Sequence, residues 1–512
     1  MLRACLTLCL FAAGAAAQSN TGRLVGTVAG PDGVIPGANV TVTDMQTGRE
    51  RTVVSTEDGS FTLPQLDAGT YTVTATAPGF KTFTASAVKI DVGRDYSLTA
   101  TLEVGNISET VEVVAGADVL NASNADLSTT VSPRQIQDLP LNGRNPLGLI
   151  TLQAGTSNNG AQATSINGQR PSATNITLDG LNIQDNFIRQ SASASTQVAL
   201  STDDVAEFTV TTQNAGGEQG LGASQVQLAT PRGQNEFHGA VFEYNRNSRF
   251  AANTFFNNAA GNFGPNDPLV LAGQATAGAA RSPRTFRNFN QFGGRLSGRI
   301  IKNKLFFFGH YEGTRDRLSS PSLRTVLTPA ARQGLFTYVD NGGVTRQVNL
   351  FSLPITANNP PAGINPLIQS RFLANIPGGN SIEAGDQRNT TGFRFNQKSD
   401  SDADNMTVRL DYDLNSSNTL NAIYKRQTAT GFVPDFSDLN GFDPTPAAGF
   451  STPNDSYVLA YRSTLTPVFT NEVRAGYVRS AQLFPELAGR QPNQFSQTNL
   501  AGGALAGFLS NP

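Results

Sequence analysis

The chain has 512 residues, length enough for two to four domains. Its 37 Lys and Arg against 39 Asp and Glu leave a net charge of −2, which argues against a general electrostatic pull toward nucleic acid or an acidic membrane surface. Only 15% of residues are charged while glycine (50) and proline (27) abound, a profile that disfavours helical bundles and fits a β protein with many turns.

The first residues are a unit of their own. Met1-Leu2-Arg3 gives a positive start, Leu6 to Ala13 an apolar core, and Ala15-Ala16-Ala17 a small-residue site before Gln18. This pattern predicts a secretory signal peptide over residues 1–17. The apolar run is shorter than the about 20 residues a transmembrane helix needs, and no Cys stands at the cleavage site as a lipoprotein leader requires. Both cysteines, Cys5 and Cys9, fall inside the leader, so no disulfide framework holds the mature chain. An exported chain of this kind with no later apolar span suggests a bacterial envelope protein. If it sits in a membrane, a closed barrel is the remaining way to satisfy the backbone there.

Residues 22–104 read as short strands between turns, the pattern of a small β-sandwich. Val25–Val28, Ala38–Val42, Thr52–Ser55, Phe61–Leu63, Tyr71–Ala75 and Tyr96–Leu102 are the predicted strands, and Pro31-Asp32-Gly33, Pro36-Gly37, Glu57-Asp58-Gly59 and Ala77-Pro78-Gly79 the turns. The motif order Gly26-Thr27-Val28, Ile35-Pro36-Gly37-Ala38, Thr56 to Phe61, Leu66 to Tyr71 and Pro78-Gly79-Phe80 closely resembles the carboxypeptidase regulatory-like domain, a transthyretin-like fold. The resemblance implies a binding or spacer module. No catalytic zinc site comes with it, because this region has no His.

Residues 120–233 change character. Ser132 followed by Pro133 predicts an N-cap with proline at the first helical position, opening a short helix that carries Ile136 and Leu139. Leu139 to Asn145, Ile166 to Pro171, Leu178-Asp179-Gly180 and Val205 to Val210 then follow in order, with Gly222 to Gly233 as a closing strand and Asn235 to Gly239 as the start of a barrel. In this order they resemble the plug domain of TonB-dependent outer-membrane receptors of the Oar-like type. The segment at 105–119 is predicted as a linker. Within it, Glu109, Thr110, Val111, Glu112, Val113, Val114 and Ala115 resemble the TonB box, which pairs as an added strand with the periplasmic energy-transducing TonB protein. The same residues also read as an ordinary strand of the sandwich or plug, and the sequence leaves both readings open.

From Glu236 to residue 512 a period of two takes over. In Asn405 to Leu414, Met406, Val408, Leu410, Tyr412 and Leu414 alternate with Asn405, Thr407, Arg409, Asp411 and Asp413. Similar segments are Phe237–Ser248, Asn290–Ile301, Lys304–Thr314, Thr419–Gln427, Asp455–Leu465 and Asn471–Arg479. Connections alternate long and short: about 40 residues, then Lys302-Asn303, nearly 90, the tight Asn415 to Asn418, roughly 25, and Pro467-Val468. A soluble sandwich has no reason to keep its long loops on one side, whereas outer-membrane barrels do.

Chemistry-bearing motifs are sparse. His238 and His310, the only histidines, read as structural or lumen residues rather than metal ligands, and no hydrolase or phosphate-loop motif occurs. Asp402, Asp404, Asp411 and Asp413 could bind calcium but read more simply as a solvated loop leading into a lumen-facing row. With no Trp, any interfacial aromatic girdle must come from the 31 Phe and 10 Tyr.

The expected fold is mainly β: a transthyretin-like sandwich, a small α/β plug and an incomplete antiparallel transmembrane barrel. The sandwich is expected to stand outside the barrel with few contacts to it. What the resemblance implies is a non-enzymatic receptor in the outer membrane of a Gram-negative-type bacterium. It would use no cofactor, and its partners would be TonB, outer-membrane lipid and an extracellular ligand the sequence does not identify. Related barrels have about 22 strands against seven legible here, so the chain is expected to be the N-terminal part of a longer protein. The rival expectation is a cell-surface structural or adhesive β-protein without a transport path.

Overall fold

A computed structural model of the chain describes residues 21–483 apart from 115–125, 159–163, 186–195, 217–219, 221, 254, 260, 272–275, 280–283, 354–365, 367–368, 370–372, 374–375, 433–448 and 467–468. The predicted leader, Ala115, the Pro467-Val468 turn and the tail beyond residue 483 lie outside the described residues.

The first body carries β1 (Gly22–Gly30), β2 (Gly33–Val34), β3 (Asn39–Asp44), β4 (Glu50–Val54), β5 (Ser60–Leu66), β6 (Gly69–Thr76), β7 (Thr82–Ile90), β8 (Asp95–Thr101) and β9 (Thr110–Val114). One sheet has β1 between β5 and β8, with β2 folded back on β1; the other runs β4-β3-β6-β7-β9. Alternation sends Leu24, Val28, Val40, Val42, Leu63 and Val73 into one shared core, each fully buried aliphatic side chain contributing about 1.5–3 kcal/mol. Two features depart from the sequence reading. β7 was not predicted, because its period of two breaks at Ala87, whose φ of 59° shifts the register against β6. Phe83 and Ala85 before the break, and Val88 and Ile90 after it, all face the core as a result. The expected linker supplies β9, which pairs in parallel with β7.

The second body carries β10 (Leu127–Val131), β11 (Thr156–Asn158), β12 (Thr164–Ile166), β13 (Thr174–Leu178), β14 (Leu181–Asn182), β15 (Glu207–Gln213) and β16 (Ser224–Ala229). Its five-stranded sheet runs β10-β15-β16-β13-β14, with β13 and β16 parallel. The helix Pro133–Asp138 opens on a full capping box, Ser132 and Gln135 satisfying each other's backbone N–H, and buries Ile136. Ile136, Leu147, Ile150, Ile176, Phe208 and Val226 belong to a core separate from that of the sandwich.

The third body carries β17 (His238–Asn247), β18 (Phe286–Ile301), β19 (Leu305–Leu327), β20 (Leu335–Val339), β21 (Thr345–Asn349), β22 (Thr390–Lys398), β23 (Ser401–Asn415), β24 (Asn418–Phe432), β25 (Gly449–Ser451), β26 (Asn454–Thr466) and β27 (Phe469–Ser480). The large sheet runs β17-β18-β19-β23-β24-β26-β27, antiparallel throughout, with β22 added beside β19 and β25 beside β24. Its seven long strands are those the alternation marked, and among the described residues β17 and β27 do not pair, so the sheet is open. Strands on the long-loop side run well past their expected ends, β19 to Leu327 and β24 to Phe432.

Candidate functional site

Strand register divides the large sheet into two faces. Arg295, His310, Thr407, Lys425 and Ser456 stand side by side at one level of the inner face. On the outer face one residue away, Val408, Tyr424, Tyr457 and Tyr477 stand side by side, with ring centroids 4.9 Å apart for Tyr424–Tyr457 and 6.4 Å for Tyr457–Tyr477. Tyr311, Leu459 and Tyr461 add to this exposed apolar surface. Toward the long-loop end the outer face turns ionic, with Arg315–Asp404 at 2.9 Å and Arg317–Asp402 at 2.6 Å.

The second body sits against the inner face through buried polar contacts. Asp204 meets Lys425 Nζ at 2.6 Å and accepts from the Thr407 hydroxyl at 3.2 Å. Burial alone would raise the Asp204 carboxyl, but Lys425, His310 and the hydrogen bonds from Lys425 and the Ser201 N–H together hold the group below the usual carboxylate range. Beside it, Ser201 donates to Glu312 at 2.7 Å, Arg295 lies 3.4 Å from Asp203, and Arg144 pairs with Asp203. Backbone joins in: Ala199 N–H donates to Gln427 Oε1 at 2.8 Å, and Asn454 donates to the Gln197 carbonyl at 2.7 Å. Nearer the short-turn end, Arg409 donates to the Thr230 carbonyl at 2.7 Å while pairing with Asp411, and Arg474 bridges Glu472 and the Asp179 carbonyl. Leu181, at the tip of the β13–β14 turn, packs on Gly476: a Cβ there would lie 3.2 Å from Leu181 Cγ. Charges so buried are tolerable only when paired and hydrogen-bonded.

The sandwich closes on the short-turn end of the same sheet, contrary to the expectation of few contacts. Arg232, in the connection between second body and sheet, pairs with Asp44 and with Asp67 at 3.4 Å. Asp67 also faces Arg462 at 3.3 Å, and Arg49 faces Asp413 at 3.6 Å. Asn235 N–H donates to the Gln46 carbonyl at 3.1 Å, and Arg51 donates to Thr470 at 3.4 Å. Burial opposes ionisation of Asp67, yet Arg462, Arg232 and Arg49 hold its carboxyl well below the usual range. The sandwich thus presents carboxylates, Asp44 and Asp67, to Arg232 and Arg462, and a cation, Arg49, to Asp413 of the sheet.

The residues singled out from sequence fall in different places. Thr110–Val114 form the outermost strand of the sandwich sheet, Glu109 pairs with Lys81 at 3.3 Å, and Glu112 is exposed. His238 begins β17 at the surface, whereas His310 is buried facing the second body. The four aspartates do not form one cluster. Asp402 and Asp404 lie within β23 on its outer face rather than in a loop, and Asp411 and Asp413 lie on the inner face, each with an arginine. Asp44, Asp67, Asp204 and Arg232 were missed; Lys425 and Arg462 were legible only as polar positions of their strands.

Two family models match the chain: an outer membrane beta barrel domain over residues 229–511 and a carboxypeptidase regulatory-like domain over residues 23–103. Among characterised proteins it is similar to the TonB-dependent transporter Oar of Myxococcus xanthus, 27% identical over 313 residues that cover 59% of this chain and 27% of that protein. The chain thus spans about a quarter of that relative's length. Solved structures it is similar to include the siderophore receptor PirA from Acinetobacter baumannii, at 14% identity over 69% of this chain and 40% of that one, with a TM-score of 0.38. The outer membrane transporter YddB from Escherichia coli matches at 11% identity over 69% and 48%, with a TM-score of 0.33.

Proposed function

The chain belongs to the outer membrane beta barrel domain family, with a carboxypeptidase regulatory-like domain ahead of the barrel, and from that membership we propose a TonB-energised receptor that binds an extracellular ligand and imports it past a plug. The observation that carries this reading is the buried seat of the second body on the inner face of the sheet, centred on Asp204 and Lys425. A string of separate adhesive sandwiches would have no use for a folded body held inside strands whose outer face is apolar and tyrosine-rich. With long loops outside and short turns in the periplasm, the sandwich lies on the periplasmic side.

In this reading the plug is held by polar contacts rather than by an apolar core. Such a seat separates with less loss than a hydrophobic one, because water entering the lumen can solvate Asp204, Asp203, Arg295 and Lys425 as they part. Traction would arrive through β9, whose outward edge offers backbone groups to an added strand of the energising partner. The test is accumulation of labelled iron–siderophore, oligosaccharide and peptide candidates by cells with and without the energising protein. Energy-dependent accumulation of one class supports the proposal. Surface binding with no accumulation in either strain returns the protein to the adhesive class.

A further inference from the structure

The sandwich has a second footing, on the plug itself. Val92, in the turn between β7 and β8, is gripped at both peptide groups by plug strand β15: its N–H donates to Glu207 Oε1 at 2.8 Å, and its carbonyl accepts from the Thr209 hydroxyl at 2.8 Å. The next residue, Gly93, has φ 66° and lies so close to β16 that a Cβ would collide with the Gln227 side chain. At the centre of this contact stand two carboxyls, Asp91 and Glu207, 6% and 4% exposed.

Their surroundings differ. Asp91 has Lys89 Nζ at 2.5 Å and accepts from the Tyr96 hydroxyl, and Arg94 lies over the Tyr96 ring. Glu207 makes no ion pair among the described residues; from the sandwich it faces the charge of Asp91 and, beyond it, Lys89. Its neighbours on β15 and β16, among them Phe208, Thr209 and Ala229, bring no charge. An ionised Glu207 would therefore put a second negative charge into a buried contact in which the cation facing it, Lys89, already serves Asp91.

We propose that this contact is a proton-held clamp, in which the sandwich sits on the plug while Glu207 is protonated and loosens when Glu207 ionises beside Asp91. Burial first, and the Asp91 charge second, push Glu207 up to about 7 from an ordinary 4.5. The docked state thus binds the proton more tightly than the undocked one. Docking is favoured as pH falls from 7 toward 4.5 and is lost as pH rises through 7. One linked proton changes the docking constant by up to about tenfold per pH unit in that window. The Val92 N–H favours the ionised carboxyl and opposes this rise without cancelling it, and the neutral acid keeps a carbonyl oxygen for the same N–H, so protonation does not break the grip. The clamp is independent of the transport reading: it acts on the sandwich, and β9 with it, whatever the barrel carries.

Amide hydrogen exchange at Val92 in the full chain in detergent micelles, corrected for intrinsic exchange at each pH, tests the clamp. From pH 5 to 7, protection at Val92 should fall by up to about tenfold per unit and then level off, while the Val42 amide inside the sandwich stays unchanged. Glu207→Gln keeps the acceptor without the charge and should leave Val92 protected at every pH; Asp91→Asn should make the fall shallower. Equal protection of the wild-type Val92 at pH 5 and 8, or an undiminished fall in Glu207→Gln, would overturn the proposal.

Discussion

Asp204 of the plug and Lys425 of the barrel wall meet at 2.6 Å with side chains only 1% and 5% exposed. Removing Lys425 alone strands a buried carboxylate, so Lys425→Ala should weaken plug seating by about 3–5 kcal/mol. Lys425→Met combined with Asp204→Asn should cost much less than the two single changes added together. Exchange at the Ala199 amide, which donates to Gln427 across the seat, reads the seating in all variants. Because the Asp204 carboxyl is held below its ordinary value, the contribution of the pair is present at neutral pH. It should be lost as pH falls below about 4. Acid therefore loosens this contact while tightening the one at Glu207.

Arg232 completes two carboxylates of the sandwich, Asp44 and Asp67, from the connection between plug and barrel. Arg232→Met should release the sandwich from the short-turn rim of the sheet at a cost of about 3 kcal/mol, roughly hundredfold in opening. The Asn235 amide, bonded to the Gln46 carbonyl across the same junction, should exchange correspondingly faster. Core amides of the sandwich should not change, since its own hydrophobic cluster does not include the rim.

If β9 is the strand offered to the energising partner, Thr110→Pro and Glu112→Pro should each abolish uptake while ligand binding at the cell surface survives, because the register with β7 turns these two N–H groups to the outward edge and proline removes that donor. Uptake that continues unchanged in both variants would leave Thr110–Val114 as an ordinary strand of the sandwich.

The barrel strands were legible because lipid and lumen impose opposite chemistry on alternate residues, as in Met406 to Leu414 against Asn405 to Asp413. That signal stops where both faces meet water. Asp402, Asp404, Arg315 and Arg317 therefore read as loop although they continue β23 and β19, and β22 was lost inside an apparent long connection. β7 escaped because a single left-handed residue, Ala87, inverts its faces midway. Of the site, parity marked Lys425 and Arg462 as inward polar positions. Nothing local distinguishes Asp67 in its Leu66-Asp67-Ala68-Gly69 turn from a solvated turn aspartate, because its partners Arg232 and Arg462 are brought to it only by the docking of three bodies.

The central claim, that the plug must move within the wall for import, can be tested with a lock. A Cβ at position 476 would lie 3.2 Å from Leu181 Cγ, where the sulfur of a cysteine at 181 would stand, and the chain has no cysteine beyond Cys5 and Cys9. In the paired variant Leu181→Cys, Gly476→Cys, uptake should cease on oxidation and return on reduction, with ligand binding unchanged throughout. Uptake that runs at the same rate through a fully formed 181–476 disulfide would contradict the account.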